Sequence, residues 1–374
     1  MNAASNTRPD RLLNNVQGLR AIAAMMVVFA HQPAFLKVIG IPPTGIGGVD
    51  LFFVISGFIM VYTSADRHAS DFARDRIARI VPIYWLLTGA VFAVAILAPA
   101  LVKGTSASLA DLGMSVLFIP FEKPSGAMQP VLFVGWTLNY EMFFYALFTL
   151  GLCFRNRSVG LLFTACALFT LVVIGQILQL GSIAAFYADP IILEFTFGMG
   201  IGVAARELPK NLAHWVTVPL IISAGAMIIF LFWLPLALPS APRVISMGLP
   251  AAGLVAASVV LEQYGSRVRW RPAIYIGGAS YSIYLIHPFV TETAQRLFRP
   301  VGPPLAALCI VATMVTVAVC GGACWRHLEQ PLTRWAKRLV HRLAPHVDNG
   351  NMAEDQTLKI ISKGPPATHQ SAAD

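Results

Sequence analysis

Ten long apolar runs constrain the fold of this chain more than any other feature. Each run is long enough, or nearly so, to cross a hydrocarbon layer of about 30 Å as a helix. Backbone polar groups inside lipid must be paired within the chain, which favours helices. We predict an all-α, polytopic integral membrane protein with about ten transmembrane helices, at residues 18–36, 48–64, 80–102, 132–154, 158–178, 188–205, 215–235, 244–262, 273–290 and 303–324.

The distribution of Lys and Arg predicts how the helices are oriented. If the N-terminus is cytoplasmic, 20 of the 27 basic residues fall in cytoplasmic segments and six in outer loops. Cytoplasmic loops of membrane proteins are enriched in Lys and Arg. We therefore predict that both termini are cytoplasmic. The same bias accounts for the net charge of +9, so a nucleic-acid partner is not expected.

The hydrophobic runs divide the chain into three parts. Residues 1–17 read as a cytoplasmic N-terminal segment, 18–335 as a ten-span membrane domain, and 336–374 as a basic and then disordered cytoplasmic tail. The apolar run from Leu112 to Phe121 is too short to span, so we expect a re-entrant or interfacial piece.

The first span carries an arginine and a histidine that are costly in lipid. Arg20 and His31 are eleven residues apart, close to three helical turns, so they face the same way about 16 Å apart. Ala24 and Val27 lie between them on that face and are small. We expect a narrow slot along the helix, cationic at its cytoplasmic end. The alternatives are an arginine that reaches the membrane surface and an ordinary core histidine.

Other ionisable residues are predicted to lie at the depth of His31. Counting 1.5 Å per residue from the span ends places Asp50, Glu141 and His287 at about 20 Å from the cytoplasmic side. These groups are expected to gather in the outer half of the membrane. Buried ionisable side chains in membrane helices usually mark functional sites.

The stretch FARDRIARIVPIYW, residues 72–85, is a candidate anion site. Arg76 and Arg79 are one turn apart, Arg74 is close by, and Pro82 favours a helix start or kink. Guanidinium groups bind phosphate through paired donors. The alternative is ordinary enrichment of basic residues on the cytoplasmic side.

The cysteines suggest no cofactor chemistry. Cys320, Cys324 and His327 share a helical face and could chelate a metal, although small packing residues and an interfacial histidine are the commoner explanation. We therefore predict that no metal is bound.

An ordered set of motifs resembles the acyltransferase 3 family of integral membrane acyltransferases, especially its exopolysaccharide O-acetyltransferases. The matching stretches are QGLRAIAAMMVVFAH, GGVDLFFVISGFIM, FARDRIARIVPIYW, VGWTLNYEMFFY, GGASYSIYLIHP and LEQPLTRW. The resemblance implies a ten-span fold in a bacterial-type inner (cytoplasmic) membrane. It also implies transfer of an acyl group, usually acetyl, from cytoplasmic acyl-CoA to a carbohydrate hydroxyl of an exopolysaccharide or lipid-linked oligosaccharide.

This resemblance gives the charged residues expected roles. His31 would be the general base, or a transient acyl carrier, with Glu141 or Asp50 orienting its imidazole. Arg20, Arg76, Arg79 and Arg74 would hold the phosphates of acyl-CoA; these seven residues are the predicted site.

Two other classes of function compete with this interpretation. A proton-coupled transporter of a lipid-linked sugar or organic anion would also carry buried Arg, His, Asp and Glu, although no paired halves are evident in the sequence. A sensor or scaffold in a polysaccharide-export complex would not need an ordered set of buried ionisable groups.

Overall fold

The computed structural model describes residues 13–42, 44–64, 67–102, 108–208 and 214–343. Regular secondary structure in these ranges is helical, and Glu122 and Met128 form one isolated antiparallel bridge. The helices are α1 (Asn14–Ala30), α2 (Pro33–Val38), α3 (Gly47–Thr63), α4 (Ala69–Leu97), α5 (Leu109–Val116), α6 (Trp136–Leu152), α7 (Arg157–Ile177), α8 (Ser182–Tyr187), α9 (Leu193–Glu207), α10 (Thr217–Ala237), α11 (Leu249–Gln263), α12 (Arg271–Gly278), α13 (Ser280–Leu297), α14 (Pro303–Cys324) and α15 (Gln330–Leu343).

The predicted all-helical class is confirmed. Five helical stretches are long and apolar enough to cross a membrane: residues 69–97, 157–177, 217–237, 244–263 and 303–342. In α10, Leu231 is the one buried residue, so the apolar surface of this helix faces outward as in a helix surrounded by lipid. The total of ten spans and the side of the termini stay predictions. The tail predicted to be disordered lies outside the described residues.

Glycines bring α3 and α9 into direct backbone contact. A Cβ added to Gly57 would lie 2.0 Å from the Phe195 carbonyl oxygen, and one added to Gly198 would lie 2.0 Å from the Val54 carbonyl oxygen. Without a driving force for apolar association in lipid, helices bind through close packing at small residues. This contact fixes α3, which carries several site residues.

The first helix differs from its predicted bounds at both ends. It begins at Asn14 because Glu262 of α11 accepts hydrogen bonds from the backbone N–H groups of Asn14 (2.7 Å) and Asn15 (2.8 Å). It ends at Ala30, since Pro33 disfavours helical geometry in the preceding Gln32, whose φ is −121° and ψ is 47°. The prediction of a span to residue 36 is therefore wrong for the helix itself. His31 lies in the turn between α1 and α2.

The arginine-rich stretch belongs to a longer helix than predicted. Helix α4 begins at Ala69 rather than near residue 80 and continues through Pro82. Its C-terminal half packs against the short α5, where Tyr84 Oη donates to the Ser115 carbonyl oxygen (3.2 Å). Eight residues of helix extend only about 12 Å, so α5 is too short to span, as expected.

Candidate active site

A cavity of about 420 Å³ lies between α1, α3, α4, α6 and α13. This volume is within the range of about 300–1,000 Å³ that small-molecule pockets usually have. We call it the arginine cavity after the charged side chains in its wall. The polar residues of that wall used below are Arg20, Arg76, Arg79, Glu141, Ser56, Tyr145, Thr137 and Tyr284.

The three arginines of the cavity are half-buried, and none forms an ion pair with a carboxylate among the described residues. The ion pairs in those ranges involve other basic side chains. The buried Glu329 interacts with Arg20 and Arg79 from a greater distance. Arg76 Nε is buried and has no hydrogen-bond partner in the described chain. Like charges in a partly desolvated site repel one another and leave donors unpaired. The cavity is therefore suited to an anionic ligand with several acceptor oxygens.

Glu141 is the one acidic residue in the described wall of the arginine cavity. Its Oε1 accepts hydrogen bonds from Ser56 Oγ (3.0 Å) and from the Tyr145 hydroxyl. One carboxylate against three guanidinium groups leaves the wall with a net positive charge.

Arg74, the fourth predicted phosphate ligand, does not line the arginine cavity. It forms an ion pair with Asp71 one turn earlier in α4, at 3.3 Å. The structure thus brings Arg20, Arg76 and Arg79 together and places Arg74 elsewhere.

Asp50 is also separate from the arginine cavity. It is fully buried, and both of its oxygens accept hydrogen bonds from Arg243, at 2.9 Å from Nε and 2.8 Å from a terminal nitrogen. The buried Glu194 lies near this pair on α9. Arg243 is one of the six basic residues that the predicted topology puts in outer loops, and its pairing with Asp50 was not predicted. The available signal was the cost of a lone carboxylate in lipid, which requires a cation nearby.

His31 does not line the arginine cavity and lies beyond the end of the cavity that Thr137 and Tyr284 form. Its ring centroid is 4.7 Å from that of His287 and 5.8 Å from that of Phe133. Its Nδ1 is 2.8 Å from the Val27 carbonyl oxygen. Because that oxygen can only accept a hydrogen bond, Nδ1 carries the hydrogen and the Val27 backbone fixes the tautomer of the imidazole. The sequence had led us to expect Glu141 or Asp50 in this orienting role.

The slot predicted along α1 is filled. Ala24 is buried in a cluster that includes Ala279 and Ile283, because small side chains allow helices to pack closely. The cavity wall at the start of α1 instead consists of Leu13, Val16, Gln17 and Arg20.

Tyr284 lies between the arginine cavity and the site of His31. It lines the arginine cavity, its hydroxyl is 2.8 Å from Thr137 Oγ1, and its ring centroid is 5.7 Å from that of His287. Gly48 of α3 packs against Val27 of α1, since a Cβ added to Gly48 would lie 3.0 Å from a Val27 methyl. Val49, the next residue, lines the cavity, so the cavity reaches a level about one helical turn before His31.

Two hydroxyl-bearing residues of the cavity wall were not predicted, although they lie in the motifs VGWTLNYEMFFY and GGASYSIYLIHP. Tyr145 follows Glu141 by four residues, a spacing that places them on one helical face. Tyr284 gave no comparable signal, because its partner Thr137 is 147 residues away. No cluster of three His, Cys, Asp or Glu side chains able to hold a metal ion occurs in the described part of the chain.

The fold and the arginine cavity define a multi-pass helical membrane protein with a cationic pocket. Residues 13–322 match the acyltransferase 3 family, described as an acyltransferase domain. The chain belongs to this family of acyltransferases. It is 36% identical over 312 residues to the exopolysaccharide production protein ExoZ of Rhizobium meliloti, covering 80% of this chain and 94% of that protein.

A second relative is more distant. Acyltransferase MdmB of Streptomyces mycarofaciens is 23% identical over 395 residues, covering 93% of this chain and 97% of that protein. No solved structure matches the chain.

Proposed function

We propose that this acyltransferase moves an acetyl group from cytoplasmic acetyl-CoA to a hydroxyl of an exopolysaccharide unit or a similar lipid-linked or extracytoplasmic carbohydrate. The observation that carries the proposal is the set of three guanidinium groups around one cavity, none of which forms an ion pair with a carboxylate of the described residues. Coenzyme A has phosphates at one end and a thioester on a narrow arm. The charge of its phosphates suits the arginines of the cavity.

In this proposal Arg20, Arg76 and Arg79 bind the phosphates, and the pantetheine arm lies along α3 and α13. The acyl end of this arm would approach Thr137 and Tyr284 in the wall of the arginine cavity. Side-chain rearrangement at Tyr284 would bring the thioester to His31. The sequence similarity to ExoZ, which is named for exopolysaccharide production, supports a carbohydrate acceptor.

His31 is proposed as the general base. Its Nδ1–H is held by the Val27 carbonyl, which leaves the lone pair of Nε2 free to accept the proton of the acceptor hydroxyl. The hydroxyl oxygen then attacks the thioester carbonyl carbon. Collapse of the tetrahedral intermediate breaks the carbon–sulfur bond, and the departing thiolate takes the proton from Nε2. The products are the carbohydrate ester and free coenzyme A.

We further propose that both termini are cytoplasmic and that the protein lies in the inner membrane. The arginine cavity then opens at the end where α1 and α4 begin, which faces the cytoplasmic acyl-CoA pool. Labelling of single cysteines placed after residue 343 by a membrane-impermeant maleimide tests this. Labelling in intact cells would contradict it.

The donor is tested with purified protein in nanodiscs by titrating CoA in a calorimeter. We expect wild-type protein and Arg74→Ala to bind CoA alike, and Arg79→Ala to bind it at least about tenfold more weakly. Arg74 is the matched control because it belongs to the same helix but pairs with Asp71. A transporter of sugars or organic anions has no reason to bind CoA, so absence of binding by the wild type would favour that class.

Transfer is tested with radiolabelled acetyl-CoA and de-O-acetylated polysaccharide from the source organism. Loss of a general base lowers rates by about 10²–10⁴-fold, so His31→Ala should lose transfer while still binding CoA. Wild-type transfer rates in His31→Ala would exclude the proposed role.

A further inference from the structure

A second imidazole, that of His287, lies beside the imidazole of His31. His287 of α13 is fully buried, and its ring centroid is 4.7 Å from that of His31, with the ring planes at 66°. We call these two residues the histidine pair. Gln295 fixes α13 against the turn after α1, because its Nε2 donates to the His31 carbonyl oxygen (3.0 Å) and its Oε1 accepts from the Ala34 N–H (2.9 Å).

The backbone sets the same tautomer in both rings. His287 Nδ1 is 2.6 Å from the Tyr284 carbonyl oxygen, and His31 Nδ1 is 2.8 Å from that of Val27. A carbonyl oxygen only accepts hydrogen bonds, so each Nδ1 carries a hydrogen. Each neutral ring therefore keeps a lone pair on Nε2, and neither ring can donate to the other.

The Nε2 atom of His287 is buried and has no hydrogen-bond partner in the described residues. An unpaired buried acceptor is unfavourable, and native structures rarely keep one without a ligand or functional reason. Protonation of both rings at this separation would place two cations together without a described carboxylate pairing either ring. The histidine pair therefore presents two neutral acceptors without donors among the described residues, one of them, on His287, fully buried.

Two acceptors require two donor hydrogens, and a single hydroxyl has only one. The proposed function supplies a hydroxyl to His31, which leaves His287 in need of a second hydroxyl close to the first. Adjacent hydroxyls on a sugar ring meet this need. The half-buried Phe133, whose ring centroid is 5.8 Å from that of His31, offers an apolar surface for the C–H face of such a ring.

We infer that His287 is an acceptor-binding residue whose Nε2 accepts a hydrogen bond from the hydroxyl next to the one that is acylated, so that the acceptor is a carbohydrate with a vicinal diol. This inference rests on the proposed function and adds the class of acceptor to it. The bond formed to His287 is a hydrogen bond only. The proton transfer and acyl transfer remain at His31.

Two variants separate this role from a structural one. His287→Asn keeps an amide N–H able to reach the Tyr284 carbonyl but removes the acceptor at the Nε2 position. His287→Gln extends an amide oxygen to that position. A purely structural histidine would favour Asn, whereas diol binding favours Gln.

The measurement uses purified protein, acetyl-CoA and the de-O-acetylated polysaccharide of the source organism, with acetyl transfer to methanol as the single-hydroxyl reaction. We expect His287→Asn to lower kcat/KM for the polysaccharide by about 10- to 100-fold, with KM for acetyl-CoA and the rate of transfer to methanol within about twofold of wild type. His287→Gln should retain more polysaccharide transfer than His287→Asn.

A second arm uses the same polysaccharide after periodate oxidation and borohydride reduction, which cleaves vicinal diols and leaves isolated hydroxyls. Wild-type transfer to this probe should fall to the level of His287→Asn, and the two proteins should no longer differ. The inference is overturned if His287→Asn transfers normally, if KM for acetyl-CoA rises equally, or if the oxidised probe is accepted fully. Wild-type protein that transfers acetyl to neither polysaccharide would instead overturn the proposed function.

Discussion

Two groups of half-buried arginine residues differ in how their charge is balanced. Arg243 meets both oxygens of the fully buried Asp50, so that cation is neutralised within the protein. Arg20, Arg76 and Arg79 surround the arginine cavity, where Glu141 is the one carboxylate of the described wall. A buried charge with a complete internal partner serves the fold, because removing either member leaves the other uncompensated. Charges left without partners around a cavity are available to a ligand.

The largest effect is expected from breaking the balanced pair. Arg243→Ala leaves Asp50 buried without its cation, which should lower the free energy of unfolding by about 3–5 kcal/mol. Thermal unfolding in detergent, followed by fluorescence, measures the loss.

The control for this change is the double variant Asp50→Asn with Arg243→Gln. It removes both charges and should recover much of the stability, because neutral replacements of similar volume avoid the unpaired ion. Equal destabilisation of the single and double variants would mean that charge balance is not what the pair contributes.

A smaller effect on stability is expected when CoA binds at Arg20, Arg76 and Arg79 of the arginine cavity. CoA at about 100 times its dissociation constant should stabilise the wild-type protein by about 2.7 kcal/mol, since a ligand that binds the folded state shifts unfolding by mass action. The same thermal assay with added CoA measures the shift. Inorganic sulfate at equal ionic strength is the control for a general salt effect, and an equal shift with sulfate would argue against CoA recognition.

Removing one unbalanced arginine should affect binding more than stability. Arg76→Ala should weaken CoA binding by about 2 kcal/mol, the scale of a hydrogen bond to a charged group, with little loss of folding stability because repulsion within the cavity is relieved. Calorimetric titration and thermal unfolding on the same sample measure both quantities. A large loss of stability with unchanged CoA affinity would show that Arg76 stabilises the fold, as Arg243 does, and does not bind CoA.

The smallest effect is expected at the carboxylate of the cavity. Glu141→Gln keeps the size of the side chain and its contacts with Ser56 and Tyr145 while removing one negative charge from the wall. CoA should bind about twofold to fivefold more tightly, the scale of a partly screened ion pair. Weaker CoA binding in this variant would show that Glu141 contacts the ligand in another way than through charge repulsion.

Much of the helical pattern could be predicted because each apolar run carries its own signal. The sequence placed α7, α10 and α14 within a few residues of their bounds. It misplaced the ends of α1 because Glu262, far along the chain, satisfies the first N–H groups, and because the proline after His31 stops the helix. It misplaced the start of α4 because hydropathy does not detect the polar first turns of a long helix.

Residue type and spacing along one helix were sufficient to select the cationic residues, since Arg76 and Arg79 are one turn apart and a guanidinium near a membrane span requires a reason. Only the tertiary structure decided which charges are balanced. It paired Asp50 with Arg243, separated by 193 residues, filled the predicted slot beside Ala24, and placed His287 against His31. Such pairings depend on which helix faces come together, and a hydrophobic pattern shows that helices exist without showing which of their faces meet.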